Sequence, residues 1–296
     1  MNNYDIIIVG AGPAGLTAAI YAARASKKVL VLEAKSYGGQ IIEALDIENY
    51  PAAMHINGFD LATNMYNQAK ELNAEIKFEK VVEVTSDLNV ITNKDTYKAG
   101  AIILATGSDH RKLDLPNEKE LTGKGVSYCA TCDGNFYRGK DVAVVGGGNS
   151  ALEEALYLSN ICNQVYLIHR RDTFKGDQKS VDQVNEKANI KTILNANVAK
   201  INGTERLESI ELNNGEVLNI SGLFIAVGLI PENENFAKLI NLNEFGYVIA
   251  NEDCTTNVPG IFVAGDCRTK ELRQLVTATS DGAVAAVNAI KFISKA

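Results

Sequence analysis

The chain has 296 residues, 46% of them hydrophobic, and a formal net charge of −7. That length predicts two domains rather than one, and the acidic balance argues against nucleic acid or an anionic membrane as the main partner. Five cysteines with a single close pair do not make a secreted disulfide framework, and no apolar run approaches the roughly 18 residues of a membrane span.

The first expected strand, "DIIIVG", lies within a run that starts at Tyr4, so no leader peptide is expected and a cytoplasmic location follows. It is a short β-branched apolar run, as buried parallel strands are. "AGPAG" then predicts a turn, "LTAAIYAARAS" a helix with small and apolar residues at helical spacing, and "KKVLVLE" a second strand, over residues 5 to 33. "AGAIILATG" reads as another strand, followed by a polar loop, 107 to 125, that contains Pro116. Cys129-Ala130-Thr131-Cys132 comes next, and residues 141 to 169 repeat the opening plan with "DVAVVG", "GGNSA", "LEEALYLSNI" and "QVYLIH". The interval from Gly10 to Glu33 equals that from Gly146 to His169. A return loop, 228 to 236, contains Pro231; it precedes a buried strand in "VPGIFVAGD", 258 to 266, and an apolar helix from about Gln274 to Phe292.

The pattern predicts an α/β protein of two Rossmann-like domains, each of the three-layer ββα type, with the second inserted into the first. The expected limits are 1–113 with 240–296 for the outer domain and 114–239 for the inner one. Each glycine turn follows a strand, opens a helix and meets a second strand at the distance a dinucleotide site needs. Gly10, Gly12 and Gly15 let backbone approach a pyrophosphate at a helix N-terminus. Glu33 is placed for a ribose diol and repels a 2′-phosphate, which suits FAD or NAD and not NADP. In the second unit the matching residue is His169, followed by Arg170, Arg171 and Lys175, as binding a 2′-phosphate requires. Two charge-assisted contacts of about 1.5 to 2.5 kcal/mol each would favour NADPH over NADH by roughly two to four powers of ten. The plainer reading of the same residues is a solvated basic turn.

The CxxC pair would need a second ligand pair to hold zinc, and Cys162, Cys254, Cys267, His55, His110 and His169 are scattered; no metal is expected. A thiol in such a motif has a pKa lowered to near 7 in known cases. Asp133 either caps the turn before "GNF" or acts as a general acid toward a leaving thiolate, and spacing does not decide between them. A flavin would couple the parts, since hydride donor and disulfide each exchange two electrons.

In order along the chain, "GAGPAG", "YGGQI", "IENYP", "ATG", "CATCDG", "GGGNSALEEA", "HRRDTFKG", "IAVGLIPE", "GIFVAGD" and "LRQLVTATSDGA" make the sequence resemble low-molecular-weight, bacterial-type thioredoxin reductases over essentially its whole length. The resemblance implies FAD contacts at Gly10, Gly12, Pro13, Ala14, Gly15, Glu33, Gln40, Asn49, Thr106, Gly107, Gly265, Asp266, Arg273 and Gln274. It implies NADPH contacts at Gly147, Gly148, Asn149, Ser150, Glu153, His169, Arg170, Arg171 and Lys175. By the same likeness Cys132 faces the flavin, Cys129 attacks the disulfide of thioredoxin, Asp133 donates the proton, the protein is a homodimer, and its inner domain swings on the two crossing segments. The family commonly has Arg where Lys175 stands, and lysine binds phosphate as a point charge rather than a fork. A ferredoxin-linked flavin thioredoxin reductase is the nearest alternative, against which the intact "GGGNSA" and "HRRDTFK" speak; a non-catalytic flavin redox sensor is another. Enzymes similar to glutathione reductase carry their cysteines in the first domain, where this chain has "SYGGQI".

Overall fold

The structure is a computed structural model that describes residues 2–44 and 46–295; Met1, Leu45 and Ala296, which belong to the outer domain expected from sequence, lie outside the described residues. The chain forms two compact units, Met1–Asp109 with Ile230–Ala296 and His110–Leu229. These limits fall before the expected 113 and 239. Both crossings lie within the polar stretches 107–125 and 228–236, at β7 (Ser108–His110) and β16 (Leu229–Pro231), which pair with each other.

The first unit contains β1 (Asn2–Val9), α1 (Pro13–Arg24), β2 (Val29–Glu33), α2 (Gly58–Glu71), β3 (Glu75–Phe78), β4 (Val81–Val84), β5 (Asn89–Thr92) and β6 (Thr96–Leu104), and after the return β17 (Ile261–Val263) and α6 (Leu275–Ile293). β3, β2, β1, β6 and β17 pair in parallel, whereas β4 and β5 continue from β6 antiparallel. Side chains alternate across a strand, so β1 serves two cores. Ile6 and Ile8 meet Leu16, Ala18 and Ala19 of α1 and Ala285, Ala286 and Ala289 of α6. Ile7 and Val9 face Val81, Val84 and Val90 on the other side. The alanines and Gly282 bring the two helices close: a Cβ on Gly282 would stand 2.2 Å from the carbonyl oxygen of Ala14.

The second unit repeats this plan with β8 (Val126–Ser127), α3 (Ala130–Asp133), β9 (Asp141–Val145), α4 (Asn149–Ser159), β10 (Gln164–His169), α5 (Gln178–Glu186), β11 (Ile190–Leu194), β12 (Val198–Gly203), β13 (Leu207–Leu212), β14 (Val217–Asn219) and β15 (Gly222–Ile225). Its parallel sheet runs β11-β10-β9-β15-β8. Val142 and Val144 pack on Ala151, Leu152, Ala155 and Leu158 of α4, and Ala143 and Val145 on the antiparallel β12-β13-β14 layer through Ile201, Leu207 and Ile210. Each unit is therefore a helix layer, a parallel sheet and an antiparallel layer, the ββα arrangement expected. Among the described residues no helix is long and apolar enough to cross a membrane.

Candidate active site

Both glycine turns deliver a helix whose first amides are left open. Asn57 caps α2, Asp177 caps α5, and Thr277 Oγ1 accepts from the Gln274 amide at the start of α6. No side chain caps α1, which begins Gly12-Pro13, or α4, which begins Gly148-Asn149. Proline at the first helical position sacrifices no hydrogen bond, and the remaining open N–H groups form an anion site.

In the first unit Gly10 has φ +107°, and a Cβ there would stand 2.3 Å from the carbonyl oxygen of Ala105. One on Gly15 would stand 1.9 Å from the Gly10 carbonyl, and one on Gly265 2.9 Å from the Ala14 methyl. The turn, the end of β17 and α6 thus close on one another. The Glu33 carboxylate accepts from the amides of Ala11 and Lys35, both at 2.8 Å, which fixes it at the end of β2 with lone pairs to spare. Gln40 Nε2 donates to the Ser108 carbonyl, and Asn49 Nδ2 to Gln274 Oε1 at 3.1 Å. Thr106 Oγ1 donates to Asn233 Oδ1 at 3.0 Å; the fully buried Asn233 in turn donates to the carbonyls of Gly246 and Cys267 at 2.9 and 2.8 Å. Beside Gly107 the space is open. Arg273 donates from Nε to the Asp266 carbonyl at 3.3 Å and lies over the Tyr247 ring.

Asp266 supplies the test of whether a flavin nucleotide fits. Its Oδ1 is buried without a hydrogen-bond partner, and burial raises its carboxyl against the opposing pull of Lys270 and Arg273. An orphan acceptor of this kind requires a donor such as a hydroxyl. Together with the open α1 terminus and the diol-facing Glu33, the donors and acceptors fit FAD.

In the second unit the His169 ring packs on Gly147, where a Cβ would approach the imidazole to 2.1 Å. His169 is buried, stacked with Phe174 at 5.5 Å, and its Nε2 has no partner. Burial, reinforced by Arg171 and Arg170, lowers its pKa. The exposed cations are Arg170, Arg171 and Lys175. The Lys175 amide donates to the Gly147 carbonyl at 2.7 Å and the Asp177 amide to Asn149 Oδ1 at 2.8 Å, so this basic loop docks on the α4 terminus beside the exposed Gly148, Ser150 and Glu153.

Cys129 and Cys132 form a disulfide with Cα atoms 5.3 Å apart. Cys129 is half-buried and Cys132 exposed. Ser127 Oγ donates to Asp133 Oδ2 at 2.6 Å and accepts from the Cys129 amide at 3.1 Å. The Asp133 side chain caps neither α3, which Cys129 begins, nor the turn at Gly134. Burial raises its pKa, only partly offset by Ser127. Tyr128 OH donates to the buried Glu118 at 2.8 Å, and Glu118 also accepts the amides of Leu113 and Leu115. Cys162, Cys254 and Cys267 are buried, and burial pushes the first two thiols up to about 11 and about 12; they are inert packing residues. Sequence reasoning missed Glu118, Asn233 and the buried Arg268, Lys270 and Asp281, none of which carries a spacing signal.

Two strand, glycine-turn and helix units, one of which mounts a disulfide in a CxxC segment, define a disulfide oxidoreductase with two nucleotide sites. Residues 4–282 match the family of pyridine nucleotide-disulphide oxidoreductases, and the chain belongs to it. It is 42% identical to a thioredoxin reductase of Listeria innocua over 99% of this chain and 94% of that protein, and 40% identical to one of Bacillus subtilis over 99% and 95%. The crystal structure of a thioredoxin reductase from Streptococcus pyogenes is similar with a TM-score of 0.94 and 37% identity, covering 99% of each chain.

Proposed function

We propose that the chain is an NADPH-dependent thioredoxin-disulfide reductase, with FAD on the first unit and NADPH on the second. The observation that carries this reading is the Cys129–Cys132 disulfide on the same unit as the Gly146 fingerprint, beside a half-buried Asp133. When bound, NADPH and FAD supply the two electrons that open this disulfide. The amides at the α1 terminus and Gly12 hold the FAD pyrophosphate, Glu33 the ribose diol and Asp266 Oδ1 a ribityl hydroxyl. Gly147, Gly148 and the α4 terminus hold the NADPH pyrophosphate, with Arg170, Arg171 and Lys175 on the 2′-phosphate. The thiolate of reduced Cys129 attacks the disulfide of thioredoxin and frees one of its sulfurs, Cys132 then attacks Cys129 Sγ in the mixed disulfide, re-forming the Cys129–Cys132 bond and freeing the second, and Asp133 gives a proton to the leaving thiolate. The reading includes a homodimer in the cytoplasm.

The test is an anaerobic titration of the purified flavoprotein with NADPH and separately with NADH, following the oxidised flavin absorbance band, and then turnover with thioredoxin. Bleaching at low NADPH with NADH far less effective, and multiple turnovers, are the expected results. A flavin that dithionite reduces and neither nucleotide bleaches would overturn the NADPH reading in favour of a ferredoxin donor.

A further inference from the structure

Ser127 takes part in none of the steps above, yet it stands between the two groups that the thiol chemistry uses. Its backbone is fixed by the parallel pairing of β8 with β15, where Phe224 is its register partner. Its side chain closes a ring of hydrogen bonds with Cys129 and Asp133. Ser127 Oγ accepts from the Cys129 amide at 3.1 Å and donates to Asp133 Oδ2 at 2.6 Å, and the Asp133 amide donates back to the Cys129 carbonyl at 3.1 Å. The same carbonyl lies 3.4 Å from Ser127 Oγ, a second acceptor within reach of its single proton.

Ser127 is 3% exposed, and a hydroxyl so buried costs desolvation unless it is hydrogen-bonded. While Asp133 is ionised the serine proton stays on the shorter contact, because hydrogen bonds to a charged acceptor are shorter and stronger. Once Asp133 is protonated, its own O–H can donate to Ser127 Oγ, and the serine proton turns to the Cys129 carbonyl. A hydroxyl is one donor with two acceptor lone pairs on a rotating bond, so it serves both states; alanine serves neither. The titratable groups around Asp133 are Tyr137 on the turn Gly134–Tyr137, Glu153, Glu154 and Tyr157 on α4, and Tyr128 with His110 stacked on its ring; β15 contributes none. Burial pushes the Tyr137 hydroxyl up to about 12, with the Asp133 charge adding to it, so that it does not titrate together with the carboxyl. Burial raises the Asp133 carboxyl and the Ser127 hydrogen bond pulls it back.

We infer that Ser127 is the positioning residue of the proton donor: its hydroxyl holds the Asp133 carboxyl against the Cys129 backbone and follows the protonation of that carboxyl by turning between Asp133 and the Cys129 carbonyl. The inference rests on the reading of Asp133 as the group that gives a proton to the leaving thiolate. In that step Asp133 loses its proton to the sulfur, and Ser127 keeps its own and swings it onto the new carboxylate. Removing a donor to the ionised form favours the protonated one, so without the hydroxyl the Asp133 carboxyl titrates about one pH unit higher.

The experiment uses the oxidised holoenzyme, in which the bonded cysteines do not titrate, with its aspartates isotope-labelled at the side-chain carboxyl. The carbon NMR signal that Asp133→Asn lacks is followed across about pH 4 to 9. Its inflection is expected to move up by about one pH unit in Ser127→Ala and to stay in place in Ser127→Thr, which keeps the hydroxyl. An unmoved inflection in Ser127→Ala, or an equal shift in both variants, would overturn the inference. The wild type supplies a check that needs no Ser127 variant to fold: the nitrogen signal of the Cys129 amide should follow the Asp133 inflection, and an Asp133 titration that leaves this signal still would overturn the inference as well. Thioredoxin turnover by the wild type is measured in parallel: turnover with an unmoved inflection in Ser127→Ala sinks the role of Ser127 alone, and the shifted inflection without turnover sinks the proposed function alone.

Discussion

Replacing Asp281 by alanine should destabilise the first unit more than any other change on α6. Its Oδ2 accepts from the Gly265 amide at 2.9 Å, from Arg268 Nε at 2.8 Å and from Lys270 Nζ at 2.8 Å, and its Oδ1 from the second arm of Arg268 at 2.8 Å. The Arg268, Lys270 and Asp281 side chains are 2%, 5% and 6% exposed, so water cannot replace the lost partner. Breaking a buried pair by removing one partner costs about 3 to 5 kcal/mol, because a buried charge is left uncompensated. The orphaned Gly265 amide adds about 1 kcal/mol or more. Glu252 remains 3.2 Å from Arg268 and, being exposed, can move to screen it, so the expected loss is about 3 to 5 kcal/mol. Burial raises the Asp281 carboxyl, but its hydrogen bonds to Arg268 and Lys270 and their charges outweigh this and hold it below the usual range. The stabilisation is therefore complete above the unfolded pKa of about 4 and is lost as pH falls through the lower native value. The chain has no tryptophan, so urea unfolding is followed by far-UV circular dichroism with flavin release in parallel. Because Gly265 precedes Asp266, flavin should also leave at lower urea. A loss below about 1 kcal/mol at neutral pH, the size of an ordinary surface pair, would refute the argument that this carboxylate anchors the turn.

Asp133→Asn removes the carboxyl that gives the proton in the proposed mechanism; thioredoxin turnover should fall by about 10² to 10⁴-fold while NADPH still bleaches the flavin in stopped-flow mixing. Cys132→Ser should likewise leave a nucleotide-reducible flavin, with thioredoxin reduction abolished in a steady-state assay; retained turnover would sink the dithiol mechanism. Arg170→Glu with Arg171→Glu should weaken NADPH far more than NADH in titrations of the flavin, by roughly two to four powers of ten. An equal loss for both nucleotides would place the 2′-phosphate elsewhere.

What the sequence makes legible here is what local pattern controls. The apolar run of β1 and the glycines at 10, 12 and 15 are contiguous, and strand, turn and helix follow from them directly. The expected strand over 258 to 266 contracts to Ile261–Val263, because Gly260 and Gly265 take left-handed conformations at its ends. Half-exposed strands such as β12 to β14 carry short alternating patterns that stand out only once a sheet covers one face. Partners far apart in sequence leave no trace: Thr106 meets Asn233, and Asp281 meets Arg268 from across a turn. His169 shows the same limit at the site itself. Position alone makes it a member of a basic cluster, and only its burial against Gly147 and Phe174 shows that its pKa is pushed down, away from the charged form. On the proposed reading the cations offered to a 2′-phosphate are three exposed side chains, Arg170, Arg171 and Lys175, so selectivity for NADPH should weaken as salt screens them.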